Sequence, residues 1–296
     1  MDPTYPLVPV VSFIAASLVL LTVLTSVRRR WNVGVLMLNM WLFLLNLIQG
    51  FETIIWSDNA RNRSPVWCDI SSHFELASSV GIPACSLVIT RRLCTIASMR
   101  LIDAPNRREV SYIFQTMSVL ITLPITQRHA QCFMDFFIGI GFPILVTGPF
   151  YYVVQKYRFA VIEEIGCSST PLSSGLTTIL VTMWPVILPL LSALFYCPRI
   201  VWKFYCQRRD LDAFFRNNGS LDRTRYFRVL AVGCLDILFT LPTRALLLFL
   251  QVAQGVSLGQ YPFYPGWHFT HHSWAPVSLP AAYWRSDFWT CFSVIF

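Results

Sequence analysis

Pro65-Val66-Trp67-Cys68-Asp69-Ile70 opens an apolar segment of the chain that ends at Thr90-Arg91-Arg92. From Trp67 to Thr90 this segment has 24 residues, and a helix needs about 20 to cross the hydrocarbon core of a bilayer. Its first turn is polar, its middle holds Pro83, and two adjacent arginines follow its end. Polar and basic ends around an apolar middle are typical of a transmembrane helix. The segment is predicted to be a membrane span, the third in the chain.

The composition of the whole chain excludes a soluble domain. Hydrophobic residues make up 55% of the 296 positions, charged residues only 13%, and the mean hydropathy is +0.54. A water-facing surface for a chain of this length cannot be built from so few polar side chains. The sequence therefore predicts an all-α integral membrane protein with one helical domain.

Six segments are long and apolar enough to be predicted as spans. They are Leu7–Val27, Val33–Trp56, Trp67–Thr90, Phe133–Val154, Leu176–Cys197 and Val229–Val252. The first is interpreted as a retained span and not as a signal peptide, because its basic residues follow the apolar run instead of preceding it. Several spans contain proline, which leaves a backbone carbonyl in need of another partner and favours kinks.

The charges of the connections predict the orientation. The first, third and fifth connections are basic, whereas the second, the fourth and the tail are neutral. Because positive charge stays in the cytoplasm, this alternation places the N-terminus outside the cell. A weaker apolar run, Val110–Thr126, is not counted as a span, because a crossing there would move the most basic connection outside.

The net charge of +8 is therefore no indication of nucleic-acid binding. Basic residues in cytoplasmic loops set orientation and attract anionic lipid, by about 1 kcal/mol each near the surface. A docking face for an acidic cytosolic partner is the alternative, and the length of the fifth connection leaves room for both.

Cysteine and histidine positions do not indicate a metal site or any other cofactor. The nine cysteines form no CxxC pair, and His271-His272 has no cysteine cluster near it in the sequence. Cys68 and Cys167 both fall in connections predicted to be outside, where oxidising conditions allow a disulfide. Either a Cys68–Cys167 bond or two free thiols fits the sequence.

Two charged residues lie inside the sixth predicted span. Asp236 and Arg244 are eight residues apart and point about 80° away from each other, so each needs a partner on another helix. At the inner end, Asp236 is level with Arg91 and Arg92, and we expect an ionic contact that holds the third and sixth spans together at rest. The alternative is an Asp236 side chain solvated by water.

At the outer end, Arg244 is level with Glu52 of the second span and Glu75 of the third. These three residues are predicted to form an outer polar site that binds a ligand. The alternative is an Arg244 side chain that extends to the membrane surface without a partner.

No pattern in the sequence indicates catalysis. Ser86, His73 and Asp135 lack the spacing of a nucleophile and its base, and no phosphate-binding glycine loop is present. The chain is expected not to be an enzyme. A small transporter is a weaker alternative, because such proteins usually carry internal repeats and none is visible here.

The sequence resembles the fungal mating-pheromone receptors that recognise farnesylated a-factor-type peptides, the class D G-protein-coupled receptors related to mushroom B mating-type loci. Short motifs in nearly every predicted span carry the resemblance, in the family's order. They are Pro65–Ile70, Gly81–Ala84, Arg91–Leu93, Asn39–Trp41, Ile138–Ile144, Ile165–Cys167, Ser192–Arg199, Thr224–Leu230, Asp236–Leu238 and Leu241–Pro242.

The resemblance implies a seven-transmembrane-helix receptor in the plasma membrane, with a farnesylated peptide pheromone and a heterotrimeric G protein as partners. The pheromone would bind at the outer half, and the G protein would contact the third and fifth cytoplasmic connections. Candidate coupling residues are Arg199, Lys203, Arg208, Arg209 and Arg225.

Two departures from the family pattern stand out. Residues 110–127 interrupt the passage from the third connection into the fourth span and are interpreted as an insertion, with retained intron sequence as a hypothesis. Residues 253–296 are expected to form an outer loop and only the start of the seventh helix, because the apolar run Phe288–Phe296 is too short to cross. The sequence thus predicts six full spans and a truncated seventh. A non-signalling, receptor-like protein is the alternative to a working receptor.

Overall fold

The computed structural model describes residues 5–26, 33–99, 128–206, 223–257, 259 and 261–284. The first three helices are α1 (Leu7–Ser26), α2 (Val33–Ile55) and α3 (Pro65–Met99). Helix α3 continues past Thr90, where the membrane span was expected to end, because nothing in the following residues breaks a helix. Arg91 and Arg92 therefore project from the helix itself and not from a loop.

The fourth and fifth spans alternate between α-helical and π-helical turns. The fourth comprises α4 (Arg128–Phe136), π1 (Phe137–Gly141), α5 (Phe142–Leu145), π2 (Val146–Phe150) and α6 (Tyr151–Val154). The fifth comprises α7 (Gly175–Thr177), π3 (Thr178–Thr182), α8 (Trp184–Leu191), π4 (Ser192–Tyr196) and α9 (Cys197–Cys206). The two halves of the fifth span meet at an angle of 48°.

Proline explains the break in the fourth span. Pro143 has no N–H, so it cannot donate to the carbonyl of Gly139, four residues earlier. The Nε1 atom of Trp41 in α2 donates to this carbonyl at 2.9 Å, and the sulfur of Cys85 in α3 lies 3.9 Å from it. A side chain at Gly139 would collide with Met37, 2.7 Å from the position of a Cβ. The carbonyl of Gly139 in the fourth span thus contacts side chains of both α2 and α3.

Helix α10 (Arg223–Ser257) contains the sixth predicted span and the proline Pro242. Among the described residues, five helices are long and apolar enough to cross a membrane, or six when the bent fifth span is counted as one. The fold is that of a helical membrane protein. The predicted insertion, 110–127, and the apolar run Phe288–Phe296 lie outside the described residues.

Helix α3 is the centre of the bundle. Its buried residues pack against α2 on one side and against the fourth and fifth spans on the other. The buried hydroxyls of Thr90 and Ser192 share a hydrogen bond of 2.7 Å between α3 and π4. Helix α1 packs on α2, where Phe13 meets Phe51 edge to face, and most of its other apolar side chains are exposed, as lipid contact requires.

A small sheet covers one end of the bundle. Strands β1 (Ala160–Ile162) and β2 (Gly166–Ser168) form a hairpin between the fourth and fifth spans, and β3 (Val277–Leu279) comes from the segment after α10. The order is β2-β1-β3, with β1 antiparallel to β2 and parallel to β3. Two short helices, α11 (Trp267–His271) and α12 (Ala281–Trp284), flank β3 in the chain.

Candidate functional site

The two ends of the bundle differ in chemistry. The disulfide end is defined here by the bond between Cys68 in the first turn of α3 and Cys167 in β2. Next to this bond, the Nε atom of Arg158 donates to Asp69 Oδ1 at 2.9 Å, and this interaction raises the pKa of Arg158 above its usual range. The connection that contains β1 and β2 is thus held to α3 by a covalent bond and by an ion pair.

The three residues predicted for the outer polar site lie together beneath this sheet. Glu52 is 7% exposed, and the carboxylate of Glu75 lies near enough to interact with it electrostatically. Glu75 accepts a hydrogen bond from Ser168 Oγ at 3.0 Å and interacts with Arg244 of α10. Residues from α2, α3, β2 and α10 therefore meet at one place, although the sequence could place them only at a similar depth.

Glu75 is exposed although it lies inside a membrane span. An ionisable side chain at such a position faces the interior of the bundle or a water-filled cavity, because contact with lipid is costly. Arg244, which is partly exposed on α10, supplies the opposite charge. Glu75 and Arg244 therefore form a polar site between α3 and α10 below the sheet, with the buried Glu52 beside them.

The edge strand β2 rests directly on the two glutamates. The backbone amides of Cys167 in β2 and of Ser169, one residue past the end of β2, face Glu52 and Glu75 respectively. Gly166 has a φ of 121°, and a Cβ atom there would lie 2.8 Å from Glu52 Oε2. Only glycine fits at this position, which gives the Ile165-Gly166-Cys167 motif a physical reason.

Two polar side-chain atoms at the disulfide end are buried without a hydrogen bond. They are Oε1 of Glu52 and Nε1 of Trp67, the only two such atoms in the part of the chain that the structure describes, and the Trp67 side chain lies within reach of the Glu52 carboxylate. Trp67 was noted in the sequence as the start of a span and not as a binding residue. The buried state of its N–H depends on the packing of α3 against α2 and β2, which no local pattern reveals.

The arginine end of the bundle is defined by Arg91, Arg92 and a residue that sequence reasoning did not assign to them, Asp135. Asp135 in α4 is 1% exposed, and its Oδ1 atom lies 2.5 Å from Nη2 of Arg91. Its other oxygen accepts from Nε of Arg92. An acidic residue in a predicted apolar span was the available signal, but nothing in the sequence chose between Asp135 and Asp236 as the partner.

The expected contact of Asp236 with these arginines stays a prediction, because the side chain of Asp236 lies outside the described residues. Among the candidate coupling residues, Arg199 lies at the start of α9 and interacts electrostatically with Tyr196, as does Arg91. The side chains of Lys203 and Arg225, and all of Arg208 and Arg209, lie outside the described residues.

Comparison with known proteins shows which family the chain belongs to. The model of the pheromone A receptor family, STE3, matches residues 7–295. The chain belongs to the pheromone A receptor family. Its members are receptors and not enzymes, which agrees with the lack of a catalytic pattern in the sequence.

Individual relatives are fungal pheromone receptors. The chain is 30% identical to the pheromone B alpha 2 receptor of Schizophyllum commune over 97% of its own length and 40% of that receptor. It is 27% identical to pheromone receptor 1 of Mycosarcoma maydis, over 89% of this chain and 67% of that one. It is 26% identical to the pheromone a factor receptor of Saccharomyces cerevisiae, over 78% and 45%. The chain thus spans less than half the length of the first and third of these relatives. No solved structure matches it.

Proposed function

We propose that this chain is a G-protein-coupled receptor for a lipidated mating-pheromone peptide. The observation that carries the proposal, beyond membership of the family, is the polar site formed by Glu52, Glu75 and Arg244. Charged side chains inside membrane spans are retained where they serve a function. A site with both signs of charge suits a peptide, which offers hydrogen-bond donors and acceptors along its backbone.

The lipid on the proposed ligand determines how the peptide reaches the receptor. A farnesyl chain on a terminal cysteine partitions into the bilayer, so the peptide is concentrated at the membrane surface before it meets the receptor. The aromatic residues around α11 suit this route, because Trp267, Phe269 and Trp274 are all exposed near the sheet. Tryptophan is enriched at the boundary between lipid and water.

The arginine end is the proposed G-protein side. Arg91 and Arg92 lie there with Arg199, and the basic fifth connection follows α9 in the chain. The proposed receptor lies in the plasma membrane, with its N-terminus and its pheromone site outside the cell. The basic face meets the G protein in the cytoplasm.

The test is a transcriptional reporter in yeast cells that lack their own pheromone receptors and express the full chain. These cells are exposed to a library of synthetic peptides that end in S-farnesylcysteine methyl ester. A concentration-dependent response to one or a few peptides, absent with the unfarnesylated versions, is the expected result. Surface-expressed receptor with no response to any peptide would contradict the proposal.

An Arg244→Gln variant examines the site within the same assay. Because Arg244 lies near Glu75, its loss leaves the Glu75 carboxylate without a cationic neighbour at the polar site, and we expect at least a tenfold loss of sensitivity to the peptide. Thr243→Ala is the matched control, since the Thr243 hydroxyl bonds only carbonyls of its own helix in the described structure. Equal sensitivity of the Arg244→Gln and wild-type receptors would remove Arg244 from the site.

A further inference from the structure

The segment that follows α10 is attached to the disulfide end of the bundle at three places. Its first part bonds to the start of the fifth span, where the amides of Gly175 and Leu176 donate to the carbonyls of Pro262 and Phe263 at 3.1 and 2.9 Å. Its last part forms β3, which pairs with β1. Between these two attachments, the His271 side chain of α11 contacts the fourth span.

Both ring nitrogens of His271 face backbone carbonyls. Nε2 lies 2.9 Å from the oxygen of Tyr152 in α6, and Nδ1 lies 3.0 Å from the oxygen of Trp267, one turn earlier in α11. A neutral imidazole carries one N–H and one lone pair, so it can donate to only one of these two oxygens. The imidazolium form carries two N–H groups and donates to both. The described contacts are therefore complete only when His271 is positively charged.

The carbonyl of Tyr152 lies where a helix leaves such groups without a partner. It belongs to the last turn of the fourth span, beyond which no helical amide follows. If the helix continued, the partner would be the amide of Lys156, but that amide donates to the carbonyl of Thr170 at 3.0 Å. The carboxyl-terminal end of a helix also carries partial negative charge, which attracts a cation. A charged His271 thus caps the fourth span.

The aromatic neighbours of His271 favour the same charged form. Its ring is stacked on the indole of Trp267, with centroids 3.9 Å apart, and is inclined by only 24° to the indole of Trp274, at 5.6 Å. The ring of Tyr152 lies 5.4 Å away. The face of an aromatic ring attracts a cation. Two carbonyls and three aromatic rings near His271 are therefore groups that stabilise a positive charge.

Few other titratable groups face this histidine in the described structure. They are Tyr152 on the fourth span and two exposed histidines of the same segment, His268 and His272. The ion pairs of the described residues all lie elsewhere. Lys156, two residues after α6, lies over the ring of the residue that follows it. The contact between α11 and the fourth span therefore depends on the charge of His271 itself.

We infer that His271 is a pH-sensitive latch between α11 and the fourth span. At acid pH the imidazolium donates to both carbonyls and holds the segment after α10 against α6. When the proton is lost to solvent, one of the two hydrogen bonds is lost with it and the segment loosens. A contact that favours the protonated form adds stability at low pH that disappears as the pH rises. The inference does not rest on the proposed function.

The test compares the thermal stability of the full chain in detergent from about pH 5 to about pH 8, the range in which histidine ordinarily changes charge. His271→Gln keeps a side-chain N–H that can reach the Tyr152 carbonyl but cannot change its charge. Over this range the wild-type Tm should fall by about 2–4 °C more than that of the variant, the effect of one lost hydrogen bond. Contributions of other titratable groups cancel in this difference.

His268→Gln is the matched control, because His268 is exposed on the same helix and has no bond to the fourth span in the described structure. It should keep the wild-type pH dependence. The same pH dependence in the wild type and in His271→Gln would overturn the inference. Loss of the dependence in His268→Gln alone would overturn it as well, because the titration would then belong to the exposed side of α11.

NMR of the wild-type chain, labelled with ¹⁵N at its histidine rings, supplies a test that needs no variant to fold. Among the five histidines, one should show two ring N–H protons that are protected from exchange with water at acid pH. This double protection should disappear over the same pH range in which the wild-type Tm falls. A spectrum in which no histidine has two protected N–H protons would contradict the latch, whatever the variants do.

Discussion

At the scale of single residues, Asp135 shows how one buried carboxylate can organise an end of the bundle. It is 1% exposed and pairs with Arg91 and Arg92, whose side chains are partly exposed. Two cations share one anion, so the cluster carries an excess positive charge at the proposed cytoplasmic side. Arg91 and Arg92 are the same two residues that were expected to pair with Asp236. Two carboxylates on different helices thus become candidates for one pair of arginines.

Replacing Asp135 with Asn should loosen α3 from the fourth span. Removing one partner of a fully buried ion pair costs about 3–5 kcal/mol, and we expect less here because water reaches the arginines. If the Asp135 contact holds the resting state, basal reporter output should also rise. Thermal unfolding in detergent and unstimulated reporter output are the measurements, each corrected for surface level.

Asp236→Asn provides the comparison. If Asp236 binds the arginines at rest, as the sequence predicts, this variant should raise basal output as well. Unchanged basal output at normal surface level would exclude Asp236 as a resting contact. If basal output rises only in Asp135→Asn, the contact of the fourth span with the arginines holds the resting state. If it rises in neither variant, the cluster has a purely structural role.

Gly166 is a second residue with a testable role, because the structure leaves no room for a Cβ atom there. Its φ of 121° disfavours any side chain, and a Cβ would lie 2.6 Å from the Cβ of Glu52. Gly166→Ala should therefore lower stability by about 1–3 kcal/mol from backbone strain, with a further loss from the collision. Gly266→Ala has a similar positive φ, 102°, but open space around the added Cβ, so it isolates the strain. Equal stability of the two variants would show that β2 can move off Glu52.

At the scale of the helices, the π turns follow from where proline removes a donor and where another helix supplies one. In π1 the freed carbonyl of Gly139 is taken by Trp41, so the kink and the contact between α2 and the fourth span are one feature. The fifth span repeats the pattern of π turns beside prolines Pro185 and Pro189. Helices built in this way can change their bend without losing every backbone hydrogen bond.

This account predicts that Trp41 and Pro143 are energetically coupled. Trp41→Phe leaves the Gly139 carbonyl with the weaker sulfur contact alone, and we expect a loss of about 1–2 kcal/mol in the free energy of unfolding. Pro143→Ala restores an N–H that can bond to the same carbonyl. The double variant should therefore be more stable than the sum of the single changes implies, by thermal or denaturant unfolding in detergent. Strict additivity would mean that the two residues act separately.

At the scale of the whole molecule, charge and chemistry divide the protein into two ends. The disulfide, the sheet and the polar site of Glu52, Glu75 and Arg244 lie at one end, and the arginine cluster lies at the other. Disulfides form on the oxidising side of a membrane, and basic loops stay in the cytoplasm. Both rules predict the same orientation, with the N-terminus outside.

An epitope tag placed before residue 5 should accordingly bind antibody on intact cells. A tag inserted in the fifth connection, within residues 207–222, should bind only after the cells are made permeable. Immunofluorescence of both tagged proteins, with total expression measured on blots, tests this orientation. Antibody binding to the second tag on intact cells would reverse the orientation and with it the assignment of the two ends.

Sequence by itself determined the membrane class and the positions of the helices. A bilayer offers no hydrogen bonds, so each crossing must be a long apolar helix that satisfies its own backbone, and such a run is visible locally. Motifs in order along the chain also indicated the family. The depth of Glu52, Glu75 and Arg244 followed from counting residues along the predicted spans.

Only the tertiary structure decided which groups meet. The choice of Asp135 beside Arg91 and Arg92, the contact of β2 with the two glutamates, and the position of Trp67 beside Glu52 depend on the rotation and bend of helices far apart in sequence. Those are set by the packing of whole side-chain faces and by prolines acting on distant carbonyls. Hydropathy records how deep a residue lies in the membrane, and packing alone determines which neighbour it faces.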